Sequence, residues 1–85
     1  MYKVLISKHA SKFLLSLPKK DQEKINEKIK QLSLNPRIEG VIKLTNVNPD
    51  TYRIRQGDYR IRFHIIDQEL IVSVIEIEHR KNIYR

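Results

Sequence analysis

The sequence contains no cysteine, so it can form neither a disulfide bond nor a thiolate metal site. No apolar run approaches the roughly 18 residues of a membrane span. The opening stretch MYKVLISKHASKF also lacks an apolar core long enough for a signal peptide. These absences predict a cytoplasmic protein without a membrane segment. The 85 residues are enough for one domain, residues 1–85, and too few for two.

The charged residues are unbalanced and are segregated by type. Lysine and arginine total 17 against 10 acidic residues, which gives a formal net charge of +7 and favours an anionic partner, either nucleic acid or an acidic protein. Eight of the ten lysines precede residue 31, whereas six of the seven arginines follow residue 52. Lysine suits a solvated helix face, and the planar arginine fork grips phosphate through two parallel hydrogen bonds.

The apolar spacing changes along the chain and predicts an α+β fold. Residues 2–6 alternate as a strand, and residues 8–34 show two apolar stripes of helical period separated by Pro18, which indicates a helical hairpin. After Gly40 the period becomes two. Strands are expected at residues 41–46, 51–56, 59–66 and 70–78. The predicted order is therefore an N-terminal strand, a helical hairpin and an antiparallel β-sheet.

The segment YRIRQGDYRIR, residues 52–62, places arginine at every second position on both sides of Gly57-Asp58. A two-residue turn there pairs Arg55 with Arg60 and Arg53 with Arg62, so that all four arginines share one face of the sheet. The other face receives the residues that can pack on the helices, namely Tyr52, Ile54, Tyr59, Ile61 and Phe63. Like charges directly opposite each other destabilise a sheet, which favours a functional reason for the arginines.

The last strand is expected to carry its alternation to its end. Val72 and Val74 would then join the core, while Ile71, Ile75 and Ile77 would lie beside the arginines. The same parity places His79 on the arginine side of the sheet. The tail HRKNIYR adds Arg80, Tyr84 and Arg85.

These residue types suit RNA cleavage in which the ribose 2′-hydroxyl attacks its own phosphate. Arginine clamps phosphate, tyrosine stacks on an unpaired base, and histidine moves a proton near neutrality. The sequence offers no metal-ligand cluster, no glycine-rich phosphate loop, and no serine or cysteine triad. We therefore expect neither a metal nor a small-molecule cofactor.

The chain resembles the RelE family of bacterial toxins, within the RelE/ParE superfamily, over essentially its whole length. The resemblance is carried by NPRIEGVIKL (35–44), the YRIR and DYRIRF pair, HIIDQELIVSVIEI (64–77) and HRKNIY (79–84). It implies a microbial-RNase-like fold and a toxin of a toxin–antitoxin pair that enters the ribosomal A site and cuts mRNA. It also implies a small antitoxin, acidic and RelB-like, that wraps the toxin.

The resemblance also implies roles for individual residues. Arg53 and Arg55 match two basic positions that are lysine in well-known members, one of them thought to be the general base, and protonated arginine is a poor base. His79 is the replacement candidate for proton transfer, and substrate strain in the ribosome is the other possibility. The expected catalytic set is Arg53, Arg55, Arg60, His79, Arg80 and Tyr84. The expected RNA-binding set is Arg53, Arg55, Arg60, Arg62, Arg80, Tyr84 and Arg85.

Two other functions remain open from the sequence. A ParE-like inhibitor of DNA gyrase would share the fold and perform no nuclease chemistry. A passive basic module would bind RNA and leave it intact. The convergent arginines and the terminal tyrosine favour RNA cleavage, because a toxin that only binds protein does not need phosphate clamps.

Overall fold

The computed structural model of the chain describes residues 1–81, so the predicted site residues Tyr84 and Arg85 lie outside the described residues. The elements are β1 (Lys3–Ile6), α1 (Lys8–Leu15), α2 (Lys19–Leu34), β2 (Ile42–Lys43), β3 (Tyr52–Gln56), β4 (Tyr59–Ile66), a single 3-10 turn (Asp67–Glu69) and β5 (Ile71–His79). This order confirms the predicted α+β architecture, with a shorter β2 than the sequence indicates.

The five strands form one sheet in the order β1-β5-β4-β3-β2. β2 through β5 are antiparallel neighbours, whereas β1 runs parallel to β5. The helical hairpin carries the chain from β1, at one edge of the sheet, to β2 at the other edge. The sheet is therefore mixed, and the two longest strands, β4 and β5, lie near its centre.

Each helix is preceded by a residue that favours the start of a helix. Both helices cover the same face of the sheet. The Ser7 side chain accepts a hydrogen bond from the Ala10 amide at 3.0 Å, and so caps α1. Pro18 occupies the N-cap position of α2. The core between helices and sheet is formed by Ala10, Leu14, Ile25, Ile29, Leu32, Ile54, Ile61, Phe63, Val72, Val74 and Ile77. Within residues 1–81, no helix has the length and apolar character needed to cross a membrane.

The predicted register of β3 and β4 is confirmed. Arg55 lies opposite Arg60 and Arg53 opposite Arg62, across the two-residue connection Gly57-Asp58. Gly57 has φ +59°, a left-handed conformation that glycine adopts without steric cost and that this kind of hairpin turn requires.

The predicted uninterrupted alternation of β5 is wrong. Phe63 pairs with Val74 but its neighbour Arg62 pairs with Glu76, so Ile75 is an extra residue on β5, a β-bulge. The bulge inverts the parity beyond it: Ile77, expected beside the arginines, is 1% exposed in the core. The Ser7 hydroxyl donates to the Ile75 carbonyl at 2.9 Å, which fixes the bulge to the start of α1.

An ion pair closes the end of the sheet that lies away from the Gly57-Asp58 turn. Arg37 donates two hydrogen bonds to the Asp67 carboxylate, at 2.9 and 3.1 Å, and the Tyr2 hydroxyl donates a third at 2.7 Å. These hydrogen bonds, led by the one from Arg37, lower the pKa of Asp67 to about 2. The group ties the segment after α2 to the β4–β5 connection.

Candidate nucleic-acid interface

The face of the sheet turned away from the helices carries four arginines, Arg53, Arg55, Arg60 and Arg62, which we call the arginine face. They alternate along β3 and β4 with the residues that fill the core. Arg55 is exposed and the other three are half-buried. The structure thus brings together the four arginines that the sequence predicted to converge.

The arginine face is electrostatically unfavourable to the folded chain. Burial, followed by repulsion from Arg53 and Arg55, lowers the pKa of the Arg60 guanidinium. Within residues 1–81, the Nε atoms of Arg60 and Arg62 are buried without a hydrogen-bond partner. Buried donors of this kind cost free energy until an acceptor reaches them. An anion such as a phosphate group would supply that acceptor and offset the repulsion.

Two glutamates on the arginine face were not among the predicted site residues. The bulge at Ile75 places Glu76 opposite Arg62 and Glu78 opposite Arg60. The Arg62 Nη1 atom donates to Glu76 Oε1 at 2.9 Å, with both side chains about one third exposed. Glu78 partly counters the charge around Arg60. The sequence contains a signal for this pairing, because Glu76 and Glu78 are two residues apart, as are Arg60 and Arg62 on β4.

Arg80 lies at the turn end of the sheet, next to the Gly57-Asp58 connection. Its backbone amide donates to the Asp58 carbonyl at 2.7 Å, and its Nε atom is 3.7 Å from Asp58 Oδ1. The side chain is more than half exposed. Such an exposed pair is weak in water, so Arg80 is available to an incoming anion at modest cost.

The structure contradicts the predicted placement of His79 on the arginine side. Its Cα partner in the sheet is Tyr59, and the two rings meet edge to face with centroids 5.2 Å apart. The Tyr59 hydroxyl donates to Asp21 Oδ2 at 2.9 Å, which anchors this group to α2. Burial, and then this hydrogen bond, raise the pKa of Tyr59. The reversal of His79 follows directly from the bulge.

The hydrogen bonding of His79 restricts its chemistry. The Lys81 backbone amide donates to Nδ1 at 3.1 Å. In the neutral ring the proton then resides on Nε2, and neither nitrogen offers a free lone pair. His79 can accept a hydrogen bond from another group only if the contact with Lys81 breaks.

A groove of about 510 Å³ runs beside β3 toward α2. It is lined by Lys28, Glu39, Gly40, Ile42, Arg53, Ile54 and Arg55. Arg53 and Arg55 thus border a groove whose other charged side chains are Lys28 and Glu39.

The chain is similar in sequence to known toxins. The family model described as the ParE toxin of the type II toxin–antitoxin system parDE matches residues 4–84. A curated protein of Methanocaldococcus jannaschii, named provisionally as toxin RelE1, is 28% identical over 86 residues, which cover 99% of this chain and 96% of that protein.

Solved structures of RelE systems share the fold. A chain of the archaeal RelE–RelB complex from Pyrococcus horikoshii is 31% identical with a TM-score of 0.82, over 93% of this chain and 94% of that one. A chain of the intact Escherichia coli RelBE toxin–antitoxin complex is 28% identical with a TM-score of 0.80, over 93% and 96%. This chain therefore belongs to the ParE toxin family of type II toxin–antitoxin systems, as a toxin of the RelE type.

Proposed function

We propose that this toxin is a ribosome-dependent endoribonuclease that cuts mRNA in the A site and so stops translation in the cytoplasm. The observation that carries the proposal is the arginine face, where four guanidinium groups converge and two buried Nε donors lack partners within residues 1–81. Such an arrangement fits a substrate that brings its own negative charge. Metal-free cleavage by the ribose 2′-hydroxyl needs stabilisation of a charged phosphorane, which arginines supply.

The arginines have graded roles in this proposal. Arg53, Arg55 and Arg60 hold the scissile phosphate and stabilise the charge that develops on it. Arg80, at the turn end of the sheet, exchanges its exposed contact with Asp58 for a phosphate oxygen. Arg62 is already bonded to Glu76, so its contact with RNA requires that pair to open. Tyr84 and Arg85 keep the base-stacking and backbone-binding roles implied by the resemblance.

Proton transfer by His79 stays a prediction, and its position counts against it. The ring lies on the helix side of the sheet beside Tyr59, with Nδ1 occupied by the Lys81 amide. Substitution of a general acid or base usually lowers a rate at least ~10²-fold. For His79→Gln we expect a loss below about tenfold in single-turnover cleavage, since the ring lies on the face of the sheet opposite the arginines proposed to hold the phosphate.

Inhibition of DNA gyrase is the second candidate, because the matching family model is described as ParE toxin. Induction of the toxin in growing cells separates the two activities. We expect protein synthesis to stop within minutes while chromosomal DNA stays intact, because the substrate is mRNA. Filamentation and DNA breaks that precede any fall in translation would instead assign the toxin to gyrase.

We also propose that an acidic, RelB-like antitoxin neutralises the toxin by covering the arginine face or by holding the C-terminal tail away from it. The net charge of +7 and the four arginines gathered on one face favour an acidic partner. In a structure of the toxin with the antitoxin encoded beside it, we expect acidic side chains within bonding distance of Arg55 or Arg60. An antitoxin bound elsewhere, with this face open and the tail undisplaced, would contradict the proposal.

A further inference from the structure

The arginine face needs a proton acceptor that its arginines cannot supply. Arginine stays protonated in proteins, so Arg53 and Arg55 cannot take the proton of a 2′-hydroxyl. His79 lies on the other side of the sheet with Nδ1 engaged. Asp58, in the turn, contacts Arg80. The other carboxylates close to the arginines are the two that the bulge of β5 brings to the arginine face.

The bulge brings two carboxylates there, and they differ in what they contact. Glu76 accepts a hydrogen bond from Arg62 at 2.9 Å and is held as its ion-pair partner. Glu78 lies opposite Arg60 and is half-buried. It makes no side-chain hydrogen bond or ion pair with the part of the chain that the structure describes. Its carboxylate is thus the one of the two that can turn toward a substrate.

Glu78 also borders the arginine cluster directly, on the β5 side of Arg60. Directly opposed residues of antiparallel strands have Cα atoms about 4.5–5.5 Å apart. Arg60 is flanked by Glu78 on β5 and by Arg55 on β3. A phosphate gripped by Arg55 and Arg60 would bring the neighbouring ribose within a side chain's length of Glu78.

We propose that Glu78 is the proton acceptor of the cleavage reaction, an inference that rests on the proposed function. Its carboxylate takes the proton of the 2′-hydroxyl as the 2′-oxygen forms a bond to phosphorus. The bond from phosphorus to the 5′-oxygen breaks, its electron pair goes to that oxygen, and the oxygen takes a proton from water. The products are a 2′,3′-cyclic phosphate and a 5′-hydroxyl, and Glu78 then releases its proton to solvent.

The direct test compares Glu78→Gln with Glu76→Gln in single-turnover cleavage of ribosome-bound mRNA at saturating toxin. Both changes remove one carboxylate from the arginine face and keep the shape of the side chain. We expect Glu78→Gln to lower the rate about 10²-fold or more and Glu76→Gln to change it less than about fivefold, because loss of general base catalysis is of the former size. A rate for Glu78→Gln within threefold of the parent overturns the inference.

A modified substrate separates loss of a base from loss of a donor or of structure. When sulfur replaces the 5′-oxygen, the leaving group departs without needing a proton. Glu78→Gln should remain slow relative to the parent on this substrate, since the 2′-hydroxyl still requires an acceptor. Recovery of the parental rate would make Glu78 a proton donor and refute its role as acceptor.

Two further observations keep the inference testable. Glu78→Asp retains a carboxylate and should cut faster than Glu78→Gln, and equal rates for the two would count against a base. Thermal unfolding of every variant establishes that it is folded. If the parent itself leaves ribosome-bound mRNA intact, the proposed function fails and the inference with it. If the parent and Glu78→Gln cut equally well, only the inference fails.

Discussion

Replacing Arg60 by glutamine is expected to lower the single-turnover rate of mRNA cleavage about 10²–10³-fold, the usual effect of removing one donor to a developing negative charge. Arg60 is half-buried between Arg55 and Glu78 on the arginine face, and its Nε atom lacks a partner within residues 1–81. Glutamine is a shorter polar side chain that carries no charge. Binding of the toxin to the ribosome should change far less than the rate.

Arg37→Gln is the matched control for Arg60→Gln. Arg37 is paired with Asp67 at the opposite end of the sheet, so its loss removes the same charge without touching the arginine face. We expect cleavage by Arg37→Gln to stay within a few-fold of the parent. Equal losses for the two variants would mean that total charge, rather than the arginine face, governs activity.

The arginine face should also lower the stability of the folded toxin. The Arg55→Thr variant allows this effect to be measured. Arg55 lies directly opposite Arg60, and like-charge pairs differ from favourable ones by roughly 0.2–1 kcal/mol. Threonine removes the repulsion and favours a strand. A gain of 1 kcal/mol corresponds to about 4–8 °C in a domain of this size, so we expect a Tm higher by a few degrees, together with weaker toxicity. A less stable variant would show that the arginine contributes to folding.

Replacing Ile77 by alanine is expected to destabilise the toxin by ~2–5 kcal/mol, the usual cost of truncating a buried isoleucine. Ile77 is 1% exposed because the bulge at Ile75 turns it into the core. At about 4–8 °C for each kcal/mol, Tm should fall by about 10 °C or more. Thermal unfolding of the purified protein measures the effect.

Ile71→Ala is the matched control for Ile77→Ala on the same strand. Ile71 pairs with Ile66 before the bulge and is half-buried. Its truncation should cost about 1 kcal/mol or less, since much of the side chain already meets water. Comparable losses at the two positions would contradict the inverted parity of β5, and with it the placement of Glu78.

The register of β3 and β4 was predictable because two independent signals agree on it. The alternation of apolar and basic residues fixes which face is buried, and the Gly57-Asp58 turn fixes the pairing. The helical hairpin was predictable for a similar reason, since its apolar stripes and the break at Pro18 are local features. An element can be predicted from the sequence when its local conformational preferences agree with its place in the fold.

The bulge in β5 was not predictable from spacing alone. The strand reads IVSVIEIEH, with β-branched residues at both parities, so that its apolar pattern fits the core with or without an extra residue. The choice is made by tertiary contacts: Ser7 bonds to the Ile75 carbonyl, and Glu76 pairs with Arg62. Neither contact is local in sequence. The wrong parity placed His79 on the arginine side of the sheet and Glu78 on the core side. It therefore affected the predicted site more than the predicted fold.

Identification of the ends that the toxin leaves on cleaved mRNA tests the central claim most directly. Purified toxin would be added to ribosomes carrying a defined mRNA in the A site, with the same mRNA without ribosomes as the control, and the products mapped by primer extension and end-group analysis. The account predicts cuts only on the ribosome, with a 5′-hydroxyl on one fragment and a 2′,3′-cyclic phosphate or 3′-phosphate on the other. Fragments with 5′-phosphate ends, or mRNA left whole on programmed ribosomes, would contradict it.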